Sequence, residues 1–514
     1  MKLYSLTIKN FRSYREAVTV YFDNFTAFVG KNDIGKSTIL EALDIFFNEG
    51  KGTVKMDSMD VNRDARANGD TEIEFIAEFN SLPDKVVLNS TYETILSEEK
   101  ILTQEGRLRI IKRYPNGGKE KVFIHAYHPF NPACADLYDK KPAELKNILD
   151  TQNIKCNNRS TSAVMRKAIW NKYSSDLQMG MKEIEVTKGE VKTIWDKLRL
   201  YLPYYVLFRS DRSNSDGDKE VQDPLKEAVR QLMADPTIQQ KCSEIADSVR
   251  QKLQDVSERT LTKLREMNAE LANQLNPDIP SSDNLNWSDV FKKVSITSDN
   301  DIPINKHGSG VKRLILLNFF RAEVERRLAE SQASNGNIQI DAIYAIEEPE
   351  TSQHAEHQRI LVNSFKDLAK QPHNQIIITT HSTTVVKQLT FDNIRLVKNN
   401  EDGARSIENI EQAQLPFPSL NEINYIAFGE ISEEYHIELY THINETGRFN
   451  QYKQGKSTMR YWQLKQNGTV FEKQLILTEY IRNIIHHPEN THNQKYTREE
   501  LAESIRLMRQ FLGL

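Results

Sequence analysis

The chain has 514 residues, with 68 Lys and Arg against 72 Asp and Glu, a net charge of −4. That length exceeds what one compact core holds, and that balance excludes a polycation gripping nucleic acid through a global field. With 38% hydrophobic residues and a mean hydropathy of −0.61, the chain offers no apolar run of about 18 residues, so no membrane-spanning helix is expected.

The first twenty residues alternate apolar and polar positions and carry charges early. They read as a strand rather than a signal peptide. The cysteines Cys134, Cys156 and Cys242 are far apart and form no CxxC pair, which fits a reducing cytoplasm and not a disulfide framework. Strands are expected near Leu3–Ile8, Val18–Phe22 and Thr26–Val29. The third runs straight into Gly30, Lys31, Asn32, Asp33, Ile34, Gly35, Lys36, Ser37 and Thr38, and Ile39–Phe47 then has helical apolar spacing. Strand, G-x-x-x-x-G-K-S loop and helix together make a phosphate cradle. The glycines let backbone N–H groups turn inward, and the helix N-terminus adds partial positive charge there. Lys36 would reach the β- and γ-phosphates of ATP, and the Ser37 hydroxyl would help hold Mg²⁺. The alternative is a glycine-containing turn that matches by chance, which the flanking strand and helix argue against.

From about Pro132 to Asn284 the spacing is mainly helical, with amphipathic segments near Thr161–Tyr173, Glu190–Tyr201 and Pro224–Met233. Cys242–Leu275 is long and charged and reads as a short coiled coil or helical arm. Its Arg250, Lys252, Arg259, Lys263 and Arg265 alternate with acids, so they read as a solvated face before a phosphate-binding one. The polar loop from Arg209 to Lys219 receives no assignment.

His307, Gly308, Ser309, Gly310, Val311, Lys312 and Arg313 precede a helix from Leu314 to about Leu328. A small-residue loop feeding a helix is a second anion site, or simply a flexible turn. In an ABC-type fold it would serve the γ-phosphate of a partner subunit. Ile343–Ile346 is a buried strand ending in Glu347 and Glu348, with Glu347 placed to act through the Mg²⁺ shell and Glu348 to polarise a water. Alone, that acidic tip is equally a solvent-facing strand end. Gln375–Thr380 is a further buried strand, ending in His381, which can hydrogen-bond a γ-phosphate. The three features in that order are hard to obtain by chance.

The series GKNDIGKST, HGSGVKR, IEEPETSQH and TTHS resembles the ABC-type ATPases of the SMC-like group. It is similar within it to the overcoming-lysogenization-defect (OLD) and related defence ATPases, as is the opening LTIKNFRSY. That resemblance implies an α/β head that dimerises head to head. Gly308, Ser309 and Gly310 would touch the partner's ATP, and Glu350, Thr351 and Ser352 would form a D-loop. The loop departs from the usual LSGGQ, and Glu347 stands where an aspartate is usual.

OLD proteins carry a Toprim nuclease that needs a glutamate and paired aspartates. Glu430 could stand for the first, but no aspartate follows Asp402, so a Toprim centre is not expected. Helices are expected near Ser419–Asn444, Phe471–His486 and Arg498–Leu512, the last opened by a Thr497–Glu500 capping box. Arg482 and His487 resemble the HEPN ribonuclease motif, and a histidine and an arginine can cleave RNA without metal. The same residues fit a helix end whose cations complement its dipole.

The expected division is an ATPase lobe at 1–131, a helical insertion at 132–284, a second ATPase lobe at 285–400 and a helical C-terminal domain at 401–514. Taken whole, the chain resembles the PtuA-type ATPases of the Septu defence system, including those attached to retrons. The resemblance implies an HNH endonuclease partner and, in a retron, a reverse transcriptase with its DNA–RNA product. An ATP-gated ribonuclease using Arg482 and His487, and an SMC-like DNA-binding repair ATPase, are the alternatives.

Overall fold

The computed structural model describes residues 1–49, 52–83, 86–89, 92–187, 191–209, 340–351, 354–400, 403–410, 419–465 and 468–514, with scattered helical positions between 237 and 258. The loop at Gly308, Ser309 and Gly310, the helix expected at Leu314–Leu328, the segment Pro224–Met233, Ser352 and most of the arm Cys242–Leu275 lie outside the described residues. By contact the chain forms two units, Met1–Ser210 with Glu330–Leu514, and Asp211–Ala329. All elements named below belong to the first. Among the described residues no helix is long and apolar enough to cross a membrane.

The opening strands form as the alternation predicts: β1 (Lys2–Lys9), β2 (Val18–Tyr21) and β3 (Phe25–Val29). Helix α1 (Lys36–Asn48) follows the glycine loop. Then come β4 (Glu72–Asn80), the short pair β5 (Val86–Asn89) and β6 (Tyr92–Thr94), β7 (Leu108–Pro115) and β8 (Lys121–Pro129). After α2 (Pro142–Thr151) and α3 (Ser162–Lys172) the chain returns as β9 (Met179–Glu185). Helix α4 (Val191–Leu198) and β10 (Tyr204–Phe208) follow. Further on lie β11 (Ala342–Glu347), α5 (Ala355–Lys370), β12 (Asn374–Thr380), β13 (Ile394–Asn399) and β14 (Arg405–Asn409).

Two six-stranded sheets result. One is antiparallel, in the order β2-β1-β4-β7-β8-β9; the other runs β10-β11-β12-β3-β13-β14 and is parallel except at β14. The inner strands β3 and β11 are almost wholly buried, and β12 has an apolar centre, because both faces of the parallel sheet are covered there. Helix α1 fills the space between the sheets. Its Phe46 and Phe47 rings meet Phe79 of β4, and Phe47 stacks on Tyr205 of β10 with centroids 5.6 Å apart. Ile39, Leu40, Leu43, Ile45 and Phe46 are all buried, each contributing roughly 1.5–3 kcal/mol.

The segment expected to begin a helical insertion at residue 132 instead completes this unit. Helices α2 and α3 form, but β9 extends the antiparallel sheet and β10 is an edge of the parallel one. The unit boundary falls at 210, not 131. A buried ion pair fastens the segment: Arg166 Nη2 lies 2.9 Å from Glu99 Oε2, beside Tyr138, whose hydroxyl donates to the Glu99 carbonyl. Removing either charge would strand the other in a dry interior.

The C-terminal region has its own core, built from Tyr435, Leu439, Ile443, Ile481, Ile505 and Met508. Its helices are α6 (Leu420–Phe428), α7 (Glu433–Glu445), α8 (Leu477–His486) and α9 (Arg498–Leu512), with the Thr497–Glu500 capping box in place. It is not wholly helical. Strands β15 (Thr458–Leu464) and β16 (Val470–Ile476) form an antiparallel hairpin, so Phe471–Ile476 is strand where helix is expected. The hairpin explains this: Tyr461 and Ile476, one on each strand, are buried in the C-terminal core.

In that core His436 is fully buried, and its Nε2 meets Ser504 Oγ at 3.0 Å in a chain continued by Thr478 and Tyr452. Burial lowers the imidazole to about 4 from 6.5, so the folded protein keeps it neutral. The unfolded chain binds that proton first, so stability is full above pH 6.5 and falls between 6.5 and 4. The loss should approach about 3 kcal/mol at the acid end. Thermal unfolding across this range, compared with His436→Gln, checks it: the variant should lose less stability on acidification, and equal losses would contradict the assignment.

Candidate nucleotide site

The loop after β3 is shaped by close packing at two glycines. A Cβ on Gly30 would sit 2.6 Å from the Val397 carbonyl oxygen, so β13 leaves room for glycine alone. Gly35 has φ of 99°, and a Cβ there would crowd Ser13 Oγ and the Tyr14 hydroxyl. Tyr14 donates to the Gly35 carbonyl at 3.0 Å, fixing the turn from the N-terminal side. Lys31, Asn32 and Asp33 are exposed, while Ile34, Gly35, Ser37 and Thr38 are half-buried.

Lys36 is buried, and its ammonium donates to the carbonyls of Gly30 at 2.8 Å and Lys31 at 2.7 Å. Burial lowers its pKa. The carboxylates of Glu348, Glu350, Asp33 and Glu347 act in the opposite sense, which places all four within electrostatic reach of one amine.

Sheet register explains that meeting. Strand β12 lies between β3 and β11, with Thr380 opposite Val29 and Thr379 opposite Glu347. Gly30, His381 and Glu348 therefore follow three neighbouring strand tips. This is the carboxyl end of a parallel sheet, where α/β proteins bind ligands.

Glu348 takes φ of 40°, a left-handed conformation rare for a long side chain. Its N–H is held by the carbonyl and hydroxyl of Thr379, and its carbonyl accepts from the Thr351 hydroxyl at 3.0 Å. The turn brings Glu348 Oε1 to 3.0 Å from His381 Nδ1. Glu350 lies on the inner side of the same histidine, Oε1 at 3.6 Å from Nδ1, and accepts from the Thr380 hydroxyl at 2.7 Å and the His381 N–H at 3.0 Å. Burial raises its pKa. Glu348, Glu350, Thr351, His354, Gln358 and His381 line a cleft of about 610 Å³.

Three residues escaped the sequence reading. Glu41 sits one helical turn beyond Ser37, and the i, i+4 spacing on α1 was the available signal. Its carboxylate pairs with Arg12 and, at 3.0 Å, with Arg209. Arg209 also lies 3.9 Å from Glu347. No periodicity could have placed it, because it stands in a polar loop.

Arg482 and His487 are not joined by a hydrogen bond or an ion pair. Arg482, on α8, donates to Asn483 Oδ1 at 3.0 Å and faces the Tyr440 ring; His487, beyond the last turn, is exposed beside Glu489. The residues after it have a structural task. Asn490 and Asn493 bond the backbone of Trp462 and so close the outer edge of β15.

The family model of the AAA ATPase domain matches residues 1–386. No curated protein matches the chain. Among solved structures, the chain is similar to an Smc head bound to the C-winged helix domain of ScpA (15% identity, TM-score 0.33, covering 80% of this chain and 99% of that one). It is also similar to the SMC head domain from Thermotoga maritima (12% identity, TM-score 0.32, 80% and 100%). A third is the Pyrococcus furiosus Smc head with an extended coiled coil bound to the C-terminal domain of ScpA (14% identity, TM-score 0.31, 80% and 97%). The matched span opens at β1 and takes in the glycine loop, the acidic strand tip and His381, and the chain belongs to the AAA ATPase domain family.

Proposed function

We propose that this ATPase binds ATP with Mg²⁺ at the tips of β3, β11 and β12, and that its nucleotide state controls an associated nuclease. The carrying observation is the convergence of Glu347, Glu348 and Glu350 on the Lys36 ammonium, brought together by strand pairing from segments over 300 residues apart in sequence. The residues suit the ligand. Gly30 and Gly35 leave a backbone cradle that a Cβ would fill. A hydroxyl from Ser37 and a carboxylate from Glu347 are the hard oxygen donors that Mg²⁺ takes alongside phosphate. Held there, Mg²⁺ would supply charge neutralisation to the phosphates during transfer.

Within this reading Gly30 to Thr38 cradle the phosphates and Lys36 leaves its loop carbonyls for the γ-phosphate. Glu348 accepts a proton from the attacking water, and His381, held by Glu348 and Glu350, donates to the γ-phosphate. The loop at Gly308, Ser309 and Gly310 acts in trans, closing a head-to-head dimer. The likeness of the motif series to PtuA-type defence ATPases supports an HNH endonuclease as the controlled partner. In a retron setting a reverse transcriptase with its DNA–RNA product would join them.

Lys36→Ala should weaken ATP binding by roughly a hundredfold, read by titration of a fluorescent ATP analogue. Unchanged affinity would remove the lysine from the site. Glu348→Gln should keep ATP affinity but slow hydrolysis roughly 10²–10⁴-fold, and light scattering should show an ATP-dependent dimer. Normal turnover in that variant would overturn the role of Glu348. Co-expression with an HNH protein encoded beside this gene should give a stable complex whose nuclease activity depends on ATP; separate elution of the two proteins would refute the partner.

A further inference from the structure

Ser37, Glu41 and Asp44 share one face of α1 by their i, i+4, i+7 spacing, and that helix packs against β10 and β11. Two carboxylates on this seam are well shielded from water: the Glu41 side chain is 7% exposed and that of Glu347 is 12% exposed. Carboxylates this dry, both within reach of one side chain, need a cation. Arg209, the residue after β10, supplies it. Its Nη2 lies 3.0 Å from Glu41 Oε1 and its Nε 3.9 Å from Glu347 Oε2. Arg12 takes the other Glu41 oxygen and is tied in turn to Asp60 at 2.7 Å.

We infer that Arg209 is a positioning residue for Glu347: a resident counter-ion, anchored by Glu41, that holds the carboxylate at the strand tip and yields it to Mg²⁺. The inference rests on the reading of Glu347 as the metal carboxylate. The two contacts differ in the sense it requires. The shorter one, to Glu41, keeps the guanidinium in place. The longer one, to Glu347, is the one a divalent ion replaces. A guanidinium suits this because its fork addresses two carboxylates from one rigid plane, whereas an ammonium is a single point charge.

The test uses the full chain bound to ADP, with free Mn²⁺ read by its paramagnetic resonance signal. Removing a competing positive charge should tighten Mn²⁺ binding, so Arg209→Gln should bind roughly fivefold more tightly than the natural protein. Arg209→Lys, which keeps the charge but loses the fork, should fall between the two. Equal or weaker Mn²⁺ binding in Arg209→Gln overturns the proposal. If that variant does not fold, Arg209→Lys decides alone by the same criterion. Glu347→Gln separates the two layers of the argument. If it weakens Mn²⁺ binding while Arg209→Gln leaves it unchanged, the metal carboxylate stands and the counter-ion role falls. If Glu347→Gln has no effect in either background, the metal assignment itself fails, and the role of Arg209 with it.

Discussion

The parallel pairing of β3 with β12 is the constraint on which the site depends. Val29 faces Thr380 across it, so two residues separated by most of the chain deliver Gly30 and His381 to the same edge. Long-range polar contacts hold that register. The Gln375 side chain bonds both the N–H and the carbonyl of Leu3, each at 2.9 Å. The terminal ammonium of Met1 lies 2.6 Å from Asp341, in the turn before β11. Arg395 of β13 pairs with Asp23, just ahead of β3, at 2.6 Å. A slip of one residue would reverse every side chain on a strand buried on both faces. It would also move Gly30 from beneath the Val397 carbonyl, where a Cβ would sit 2.6 Å from the oxygen.

The motifs were legible because each consists of local chemistry on a regular element. The glycine loop lies between a strand and a helix, and the acids and the histidine each end a run of apolar residues. Their meeting was inferred from order, and the strand pairings supply the physical route. The residues that tune the site were not legible for the opposite reason. Arg209 and Arg12 act through contacts between distant segments, and neither belongs to a repeating pattern. The helix expected at Glu190–Tyr201 forms as α4, but the strands on either side of it, β9 and β10, were not foreseen. Strand β9, MGMKEIE, is an edge strand with only Ile184 buried, so it lacks the apolar run of an interior strand. The C-terminal hairpin did leave a signal: Asn467–Gly468 stands between two strand-like runs, a pair that favours a tight hairpin turn. Helical spacing in the residues that follow obscured it.

The acids at the tip of β11 illustrate how burial divides labour among identical side chains. Glu347 faces the seam with α1 and is matched by Arg209. Glu350 is buried beneath His381, and burial favours its neutral form while the Thr380 hydroxyl and the His381 N–H hold it. Glu348 reaches the cleft from a strained backbone, with φ of 40°. Left-handed geometry at a glutamate costs on the order of 1–3 kcal/mol, so something must hold it there. Thr379 and Thr351 do so from both sides, clamping the Glu348 N–H and carbonyl. A relaxed turn would break these bonds and move the carboxylate from His381, 3.0 Å away. The strain is therefore tied to where the carboxylate points, which is the property a residue orienting water must have. Glycine at 348 would relieve the backbone and lose the group. An alanine would keep the strain with nothing to aim.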